Sequence, residues 1–254
     1  MKGEDFNEVA ADFPEPFRLL VRDSVASTND EIRVLAEAGA ADGLILLAGM
    51  QTAGRGRRGA AWFSPTGESL AFSILVRPDE PKALWPRLAL ATGLAVAEAL
   101  ETCGLEAGIK WPNDVWLGQR KAAGILVEAG PDFAVVGIGL NVNSTEFPAE
   151  VAEIATSMRM EALREFSLAA VLSEIVARFS KRRVQIGKDF EHVISAVSVR
   201  CVLTGKRVVL NAADGPKIGV VEGIAPGGEL LLRTDAGLQR LIQADDVRLL
   251  PFNP

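Results

Sequence analysis

The stretch Gln51-Thr52-Ala53-Gly54-Arg55-Gly56-Arg57-Arg58-Gly59 decides how this chain is read. Three arginines share the loop with three glycines, and no acidic residue lies between Met50 and Ser64. Arginine stays charged at any relevant pH and offers a planar fork that matches phosphate or carboxylate oxygens in pairs. Glycine turns the backbone through positive φ and brings its N–H groups close to a ligand. Like charges crowded together repel until an anion arrives. Two readings stand: a solvated Gly/Arg loop, or a loop that closes over a phosphate-bearing ligand.

Gly54, Gly56 and Gly59 also fit G-x-G-x-x-G. That dinucleotide fingerprint requires a strand before it and a helix directly after it, where the pyrophosphate rests. An apolar strand, Leu44 to Met50, does precede the loop. The segment after the loop, Ala60-Ala61-Trp62-Phe63-Ser64-Pro65-Thr66-Gly67, is a turn. The match is accidental, and a doubly wound dinucleotide fold is set aside.

On the N-terminal side, residues 1–16 are acidic and end in Pro14 and Pro16, a poorly ordered lead-in by composition. Phe17 to Arg22 reads as a strand. Ser27-Thr28-Asn29-Asp30-Glu31 opens a helix, with Thr28 and Glu31 in capping-box spacing. Capping alone explains Ser27 and Thr28, yet a helix N-terminus carrying hydroxyls also suits a polar ligand head.

On the C-terminal side, Ser69–Val76 reads as a strand. Leu84, Leu88, Ala91, Ala95 and Ala99 at helical spacing predict one long helix over 82–102. Ile109 to Val115 is a strand interrupted by Trp111-Pro112-Asn113-Asp114, which is also an ordinary turn signal. Hairpin turns at Gly118-Gln119-Arg120 and Gly130-Pro131-Asp132 lead into strands Lys121–Glu128 and Phe133–Asn143. Glycines inside those strands suggest close approach of a ligand to the backbone. Ser167–Val184 and residues 189–198 read as helices. From about residue 200, short strands at Lys206–Leu210, Ile218–Ile224, Glu229–Arg233, Leu238–Ile242 and Val247–Leu249 predict a small antiparallel barrel.

The 254 residues suit one large domain with a small one attached. A formal charge of −6 argues against a general nucleic-acid coat. Cys103 and Cys201 form no metal-ligand or disulfide pattern, which suits a reducing cytoplasm. His192 is the one histidine and sits in an amphipathic helix, so catalysis must run on Lys, Arg, Asp and bound metal. The N-terminus lacks a secretory signal, and Leu88–Leu100 is too short to span a bilayer.

Taken together, the motifs resemble the biotin–protein ligases, also called biotin–[acetyl-CoA-carboxylase] ligases. The residues that carry the resemblance are Ser27-Thr28-Asn29, Gln51 to Gly59 with Trp62 and Ser64-Pro65, Lys110 to Asp114, Lys121 to Glu128, and Gly137 to Asn141. Their order and spacing agree from about residue 17 to 143, and the terminal β module agrees too. The resemblance implies an α+β fold: a mixed sheet with flanking helices of the class II aminoacyl-tRNA synthetase type over 17–199, then an SH3-like β-barrel over 200–254. It implies an ATP-dependent ligase that makes biotinyl-5′-AMP and transfers biotin to a lysine of a biotin carboxyl-carrier protein domain.

By that resemblance Arg55 and Arg57 sit on the biotin carboxylate and adenylate phosphate, with Arg58 as an outer charge and Lys121 on the acyl-phosphate oxygens. Ser27, Thr28, Asn29 and Gln51 meet the biotin end. Gly54 and Gly56 belong to the closing loop, and Gly124 and Gly139 leave room for the flat ring system. Trp62 stacks on adenine, while Asn113, Ile125 and Asn141 line the nucleotide side. Mg²⁺ enters on the ATP phosphates and needs no dedicated protein ligand. Asp114, with Lys110 beside it, serves the acceptor lysine. A free Lys titrates near about 10.4 and a free Asp near about 3.9, so Asp114 orients the amine and takes its proton only as C–N bond formation acidifies it.

Two departures stand out. Position 60 is Ala, where some relatives continue the basic run. Residues 1–26 leave no room for the winged-helix DNA-binding domain of some relatives, which needs about 60 residues, so a ligase without repressor function and without nucleic-acid or membrane partners is expected. Homodimer formation is left open. The nearest rival is a lipoate–protein ligase of the same fold, against which the Arg55–Arg58 loop and the Lys110–Asp114 motif speak. A nicotinamide-dependent oxidoreductase rests on glycine spacing alone, and a non-catalytic carrier-binding module would need no intact motif.

Overall fold

The computed structural model describes residues 6–212 and 214–250. A seven-stranded mixed sheet forms the larger unit, from β1 (Arg18–Val25), β2 (Leu44–Gln51), β3 (Ser69–Val76), β4 (Ala107–Lys110), β5 (Asp114–Leu117), β6 (Arg120–Ala129) and β7 (Ala134–Asn141), in the order β1-β2-β3-β7-β6-β5-β4. Only the β1–β2 pair is parallel. A parallel pair needs a crossover, and the helix α2 (Thr28–Glu37) supplies it.

The sheet is covered on two faces, which is why β3 is buried along its whole length rather than at alternate residues. One face packs on α3 (Arg87–Thr102), α5 (Leu168–Arg183) and α6 (Phe190–Arg200) through the main core. On the opposite face α2 sets Ile32 and Ala36 against Leu46, Leu75, Phe133 and Val135. That smaller cluster covers only part of its face; the uncovered part holds the candidate site.

Several sequence expectations need correction. The lead-in contains a short helix, α1 (Phe6–Ala10), and buries Phe6 and Phe13; two phenylalanines in an acidic segment were the signal. Residues 1–5 of it lie outside the described residues. The helix expected over 82–102 is split: Lys82–Leu84 is a single 3-10 turn and α3 starts after Pro86, whose missing N–H is tolerated only at a helix start. The capping box expected at Thr28 and Glu31 is absent, since Ser27 is the N-cap and its side chain makes no capping bond.

Lys110 to Asp114 is the turn of a β4–β5 hairpin rather than a break in one strand. After α4 (Met158–Ala162) and the long helices, residues 207–249 form a five-stranded antiparallel sheet: β8 (Arg207–Ala212), β9 (Gly215–Ile224), β10 (Leu230–Thr234), β11 (Gly237–Leu241) and β12 (Asp245–Leu249). Its order, β11-β10-β9-β8-β12, leaves β11 and β12 at the edges, so among the described residues the expected barrel is not closed by strand pairing. Buried Trp111 donates its indole N–H to the Gly228 carbonyl at 2.9 Å, tying this sheet to the β4–β5 turn. Among the described residues no helix is long and apolar enough to cross a membrane.

Candidate active site

Strand register lays out the floor of the site. Ala48 of β2 faces Ala71 of β3, Ala71 faces Gly139 of β7, Gly139 faces Gly124 of β6, Gly124 faces Asp114 of β5, and Asp114 faces Lys110 of β4. Directly paired residues share a face, so a row of small side chains crosses the sheet and ends at a carboxylate and an ammonium. The neighbouring row on the same face carries Ser73 opposite Gly137.

Lys121 reaches this face through a register shift. Strict alternation would put it on the face opposite Gly124. Between Val115 and Trp116 the β5–β6 ladder slips by one residue, so that Trp116 pairs with Lys121, and such a bulge re-aims the side chain. Lys121 Nζ then stands 2.7 Å from Asp114 Oδ1. Lys110 Nζ lies over the Trp116 ring, 5.0 Å from its centroid.

The polar end of the site is preorganised. Ser27, Thr28 and Asn29 are buried at the start of α2. Gln51 Oε1 accepts from the Thr28 backbone N–H at 2.8 Å and from the Thr28 hydroxyl at 3.2 Å. The Ser73 hydroxyl donates toward Asn29 Oδ1 at 2.6 Å and toward Thr28 Oγ1 at 2.7 Å. With one proton it serves one acceptor at a time, which leaves a lone pair in this cluster open to an incoming donor. Asn29 Nδ2 donates to Glu128 Oε2 at 2.7 Å. Gly137 is bare because Asn29 lies against it, where a methyl would overlap Oδ1.

The arginine loop is different. Its cations are divided between two sets of carboxylates. Arg55 pairs with Asp30 at 2.5 Å and stands 3.9 Å from Glu128. Arg57 donates to Asn113 Oδ1 and to the Ala244 carbonyl, both at 3.1 Å, with Asp245 at 3.9 Å. Arg58, at φ 55° in the left-handed region, pairs with the buried carboxylate of Asp245. Burial pushes the Arg57 guanidinium below its ordinary pKa; Asp114 opposes that shift and Arg58 adds to it. Gly54 permits the loop to close, since a Cβ there would stand 2.7 Å from the Trp62 carbonyl. The loop leads into a 3-10 turn and no helix, which disposes of the dinucleotide fingerprint.

The structure therefore brings Lys110, Asp114, Lys121, Gly124, Gly139 and Trp62 together, and Ser27, Thr28, Asn29 and Gln51 together. Arg55 and Arg57 are held by different partners, Asp30 and Glu128 for the one, Asn113 and Ala244 for the other. Ile125 directs its side chain to the helix face, where Cδ1 lies 3.9 Å from a Cβ built on Gly93 of α3, so only its backbone, bonded to Asn113, borders the site. Asn141 is buried and donates to the Thr156 carbonyl at 3.0 Å. The slot over Gly124 and Gly139 is occupied by the Trp62 indole: a methyl on Gly139 would overlap ring atom Cε2, and one on Gly124 would sit 3.3 Å from Cζ3. Sequence reasoning missed Ser73, whose signal was a hydroxyl midway along an apolar strand, and Asp30, Ala244 and Asp245, which gave none. Among the described residues no three His, Cys, Asp or Glu groups are clustered to hold a metal.

The site is a slot floored by small residues, with hydrogen-bonding groups at one end and a Lys–Asp pair beside an arginine loop at the other, a layout suited to a polar, anionic ligand. Residues 22–143 match the model of the biotin/lipoate A/B protein ligase family. The chain is 34% identical over 228 residues to the biotin–[acetyl-CoA-carboxylase] ligase of Mycobacterium tuberculosis, covering 87% of this chain and 85% of that one. It is 33% identical over 236 residues to the bifunctional ligase/repressor BirA of Bacillus spizizenii, covering 89% and 73%. The solved biotin protein ligase from Aquifex aeolicus in complex with biotin and ATP superposes with a TM-score of 0.84 at 32% identity, covering 92% of this chain and 99% of that one. The chain belongs to the biotin/lipoate A/B protein ligase family.

Proposed function

We propose that this protein is an ATP-dependent biotin–protein ligase that attaches biotin to a lysine of a carboxylase carrier domain. The observation that carries the reading is the row Ala71–Gly139–Gly124–Asp114, which leads from the Thr28/Asn29/Gln51 cluster to Lys121. A ureido ring presents a carbonyl acceptor and two N–H donors, the complement of Thr28, Asn29, Ser73 and Gln51. Buried groups that match a ligand's own polarity reject analogues lacking it far better than an apolar wall does. Lipoate has no such head group.

In the first half-reaction a biotin carboxylate oxygen attacks the α-phosphorus of ATP; the bond to the bridging oxygen breaks and pyrophosphate leaves. Both reactants are anionic. Arg57, anchored by Asn113 and Ala244, and Lys121 supply fixed positive charge where they meet. Magnesium bound to the triphosphate would supply Lewis-acid charge to the leaving pyrophosphate. Arg55 is released from Asp30 to join them, with Arg58 as an outer charge.

In the second half-reaction the carrier lysine nitrogen attacks the carbonyl carbon of the mixed anhydride, AMP leaves by C–O cleavage, and the amine loses a proton. Asp114 at the end of the floor orients that amine and takes the proton, with Lys110 beside it. The C-terminal sheet, read as an SH3-like module, meets the arginine loop through Ala244 and Asp245. The test is incubation with ATP, Mg²⁺ and a carrier domain, offering biotin or lipoate, with mass spectrometry on the carrier. Addition of the biotinyl group supports the reading; no addition, or addition of the lipoyl group alone, overturns it.

A further inference from the structure

We infer that Trp62 is a built-in occupant of the ring slot: without ligand its indole covers the Gly139–Gly124 floor, and a flat bicyclic ring must displace it to bind. The identity of the displacing ligand rests on the biotin reading; the seat itself rests on geometry.

The floor is bare backbone. Gly124 and Gly139 face each other across β6 and β7, and the indole lies so close to Gly139 that a methyl there would overlap it. Lys121 Nζ caps the ring, 5.6 Å from its centroid. An aromatic ring stacked over peptide groups between a cation and a glycine floor marks space shaped for a flat ligand.

The indole is seated as a guest. The two buried core tryptophans satisfy their N–H groups, Trp85 with the Glu80 carbonyl at 2.8 Å and Trp111 with the Gly228 carbonyl at 2.9 Å. Trp62 Nε1 is buried with no acceptor. Half-buried Trp116 shares that lack, so the orphan N–H is supporting evidence; the ring on glycine backbone is the primary observation. A buried unpaired donor weakens the seat, and a ligand that brings its own hydrogen-bonding groups to the polar cluster competes well against it.

The tether permits the exchange. Trp62 lies in no helix or strand; its backbone N–H bonds to the Gly54 carbonyl at 2.9 Å, and its neighbours Ala61 and Phe63 are exposed. Rotation about this one short segment lifts the indole from the slot while the loop stays closed. The displaced ring then stands on the nucleotide side, so the residue that vacates one subsite furnishes a stacking surface for the other.

The experiment is ¹⁹F NMR on the full chain labelled with 5-fluorotryptophan, which gives four tryptophan signals. Trp62 is assigned by its loss in Trp62→Phe. In the ligand-free protein its signal should be insensitive to exchanging H₂O for D₂O. Biotin alone, and separately Gly139→Ala with no ligand, should each make it solvent-sensitive. In stopped flow, Trp62→Ala should take up biotin about ten-fold faster or more, because the occluded fraction no longer taxes association.

A Trp62 signal already solvent-exposed without ligand, or unmoved while calorimetry shows biotin bound, overturns the inference. If Gly139→Ala disturbs the other three signals as well, the biotin arm decides. Failure of the functional reading looks different: no heat with biotin and no carrier modification, while the ligand-free seat and the Gly139→Ala response still decide whether Trp62 occupies the slot.

Discussion

The two ends of the site are built on opposite plans. At the ring end, Thr28, Asn29, Ser73 and Gln51 are interlocked by bonds of 2.6–3.2 Å in a buried pocket on sheet and helix. At the charge end, Arg55, Arg57 and Arg58 lie on an irregular loop, tied to Asp30 and Asp245. Recognition of a neutral polar ring tolerates no slack, because each misplaced donor leaves a buried group unpaired. Arg55 and Arg58 are paired with internal carboxylates that arriving phosphates would have to displace, whereas Arg57 is held in place by Asn113 and Ala244. Alterations at the charge end should therefore act on rate with little effect on stability, and alterations at the ring end on both.

The largest effect belongs to Arg57. Arg57→Ala should slow adenylate formation about 10²–10³-fold, measured as pyrophosphate released in a single turnover, with the unfolding midpoint nearly unchanged. A loss smaller than about ten-fold would mean that Lys121 suffices and that the loop is not the electrostatic centre. Asp114→Ala comes next. It should cut transfer to the carrier about 10²-fold while adenylation falls far less, even though Lys121 loses its partner at 2.7 Å. Equal losses in the two half-reactions, assayed separately, would withdraw the role given to Asp114.

At the ring end, Ser73→Ala removes a donor from between Asn29 and Thr28. Stability should drop by about 1–3 kcal/mol, read as a lower denaturation midpoint. The KM for biotin should rise while that for ATP stays put. If stability and both KM values stay at wild-type levels, the interlocked pocket is not the rigid half of the site.

The same contrast governs what the sequence revealed. The strands delivering the glycines were legible because they are short apolar runs between turn residues, and the five strands after residue 200 were legible from regular spacing. The ring-end residues were legible only as types, since capping alone would explain Ser27 and Thr28; the structure shows that Ser27 makes no capping bond and that Thr28 bonds Gln51 instead. Lys121 was legible by resemblance but not by alternation, because a bulge in β6 changes its parity and no local residue announces it. The positions of the arginines were not legible. Their partners, Asp30 and Asp245, lie 25 and more residues away and are ordinary surface residue types until the fold apposes them. By resemblance Gly124 and Gly139 were expected to leave room for a flat ring; that a tryptophan of the same chain lies over them depends on loop conformation, which composition does not encode.

The smallest effect is the most discriminating. Asp245 is buried, with about a tenth of its side chain exposed, whereas its partner Arg58 is 70% exposed, so solvent screens the pair and its net worth is at most about 1 kcal/mol. If Asp245 is a stand-in for phosphate, Asp245→Asn removes a competitor for Arg57 and Arg58, and ATP should bind about two- to five-fold more tightly at low salt. At about 0.1 M ionic strength, where screening sets in beyond roughly 10 Å, a contact this close keeps part of its strength; near 1 M the gain should vanish. Weaker ATP binding in the variant would reverse the assignment, because Asp245 would then hold the loop in its working position instead of occupying it.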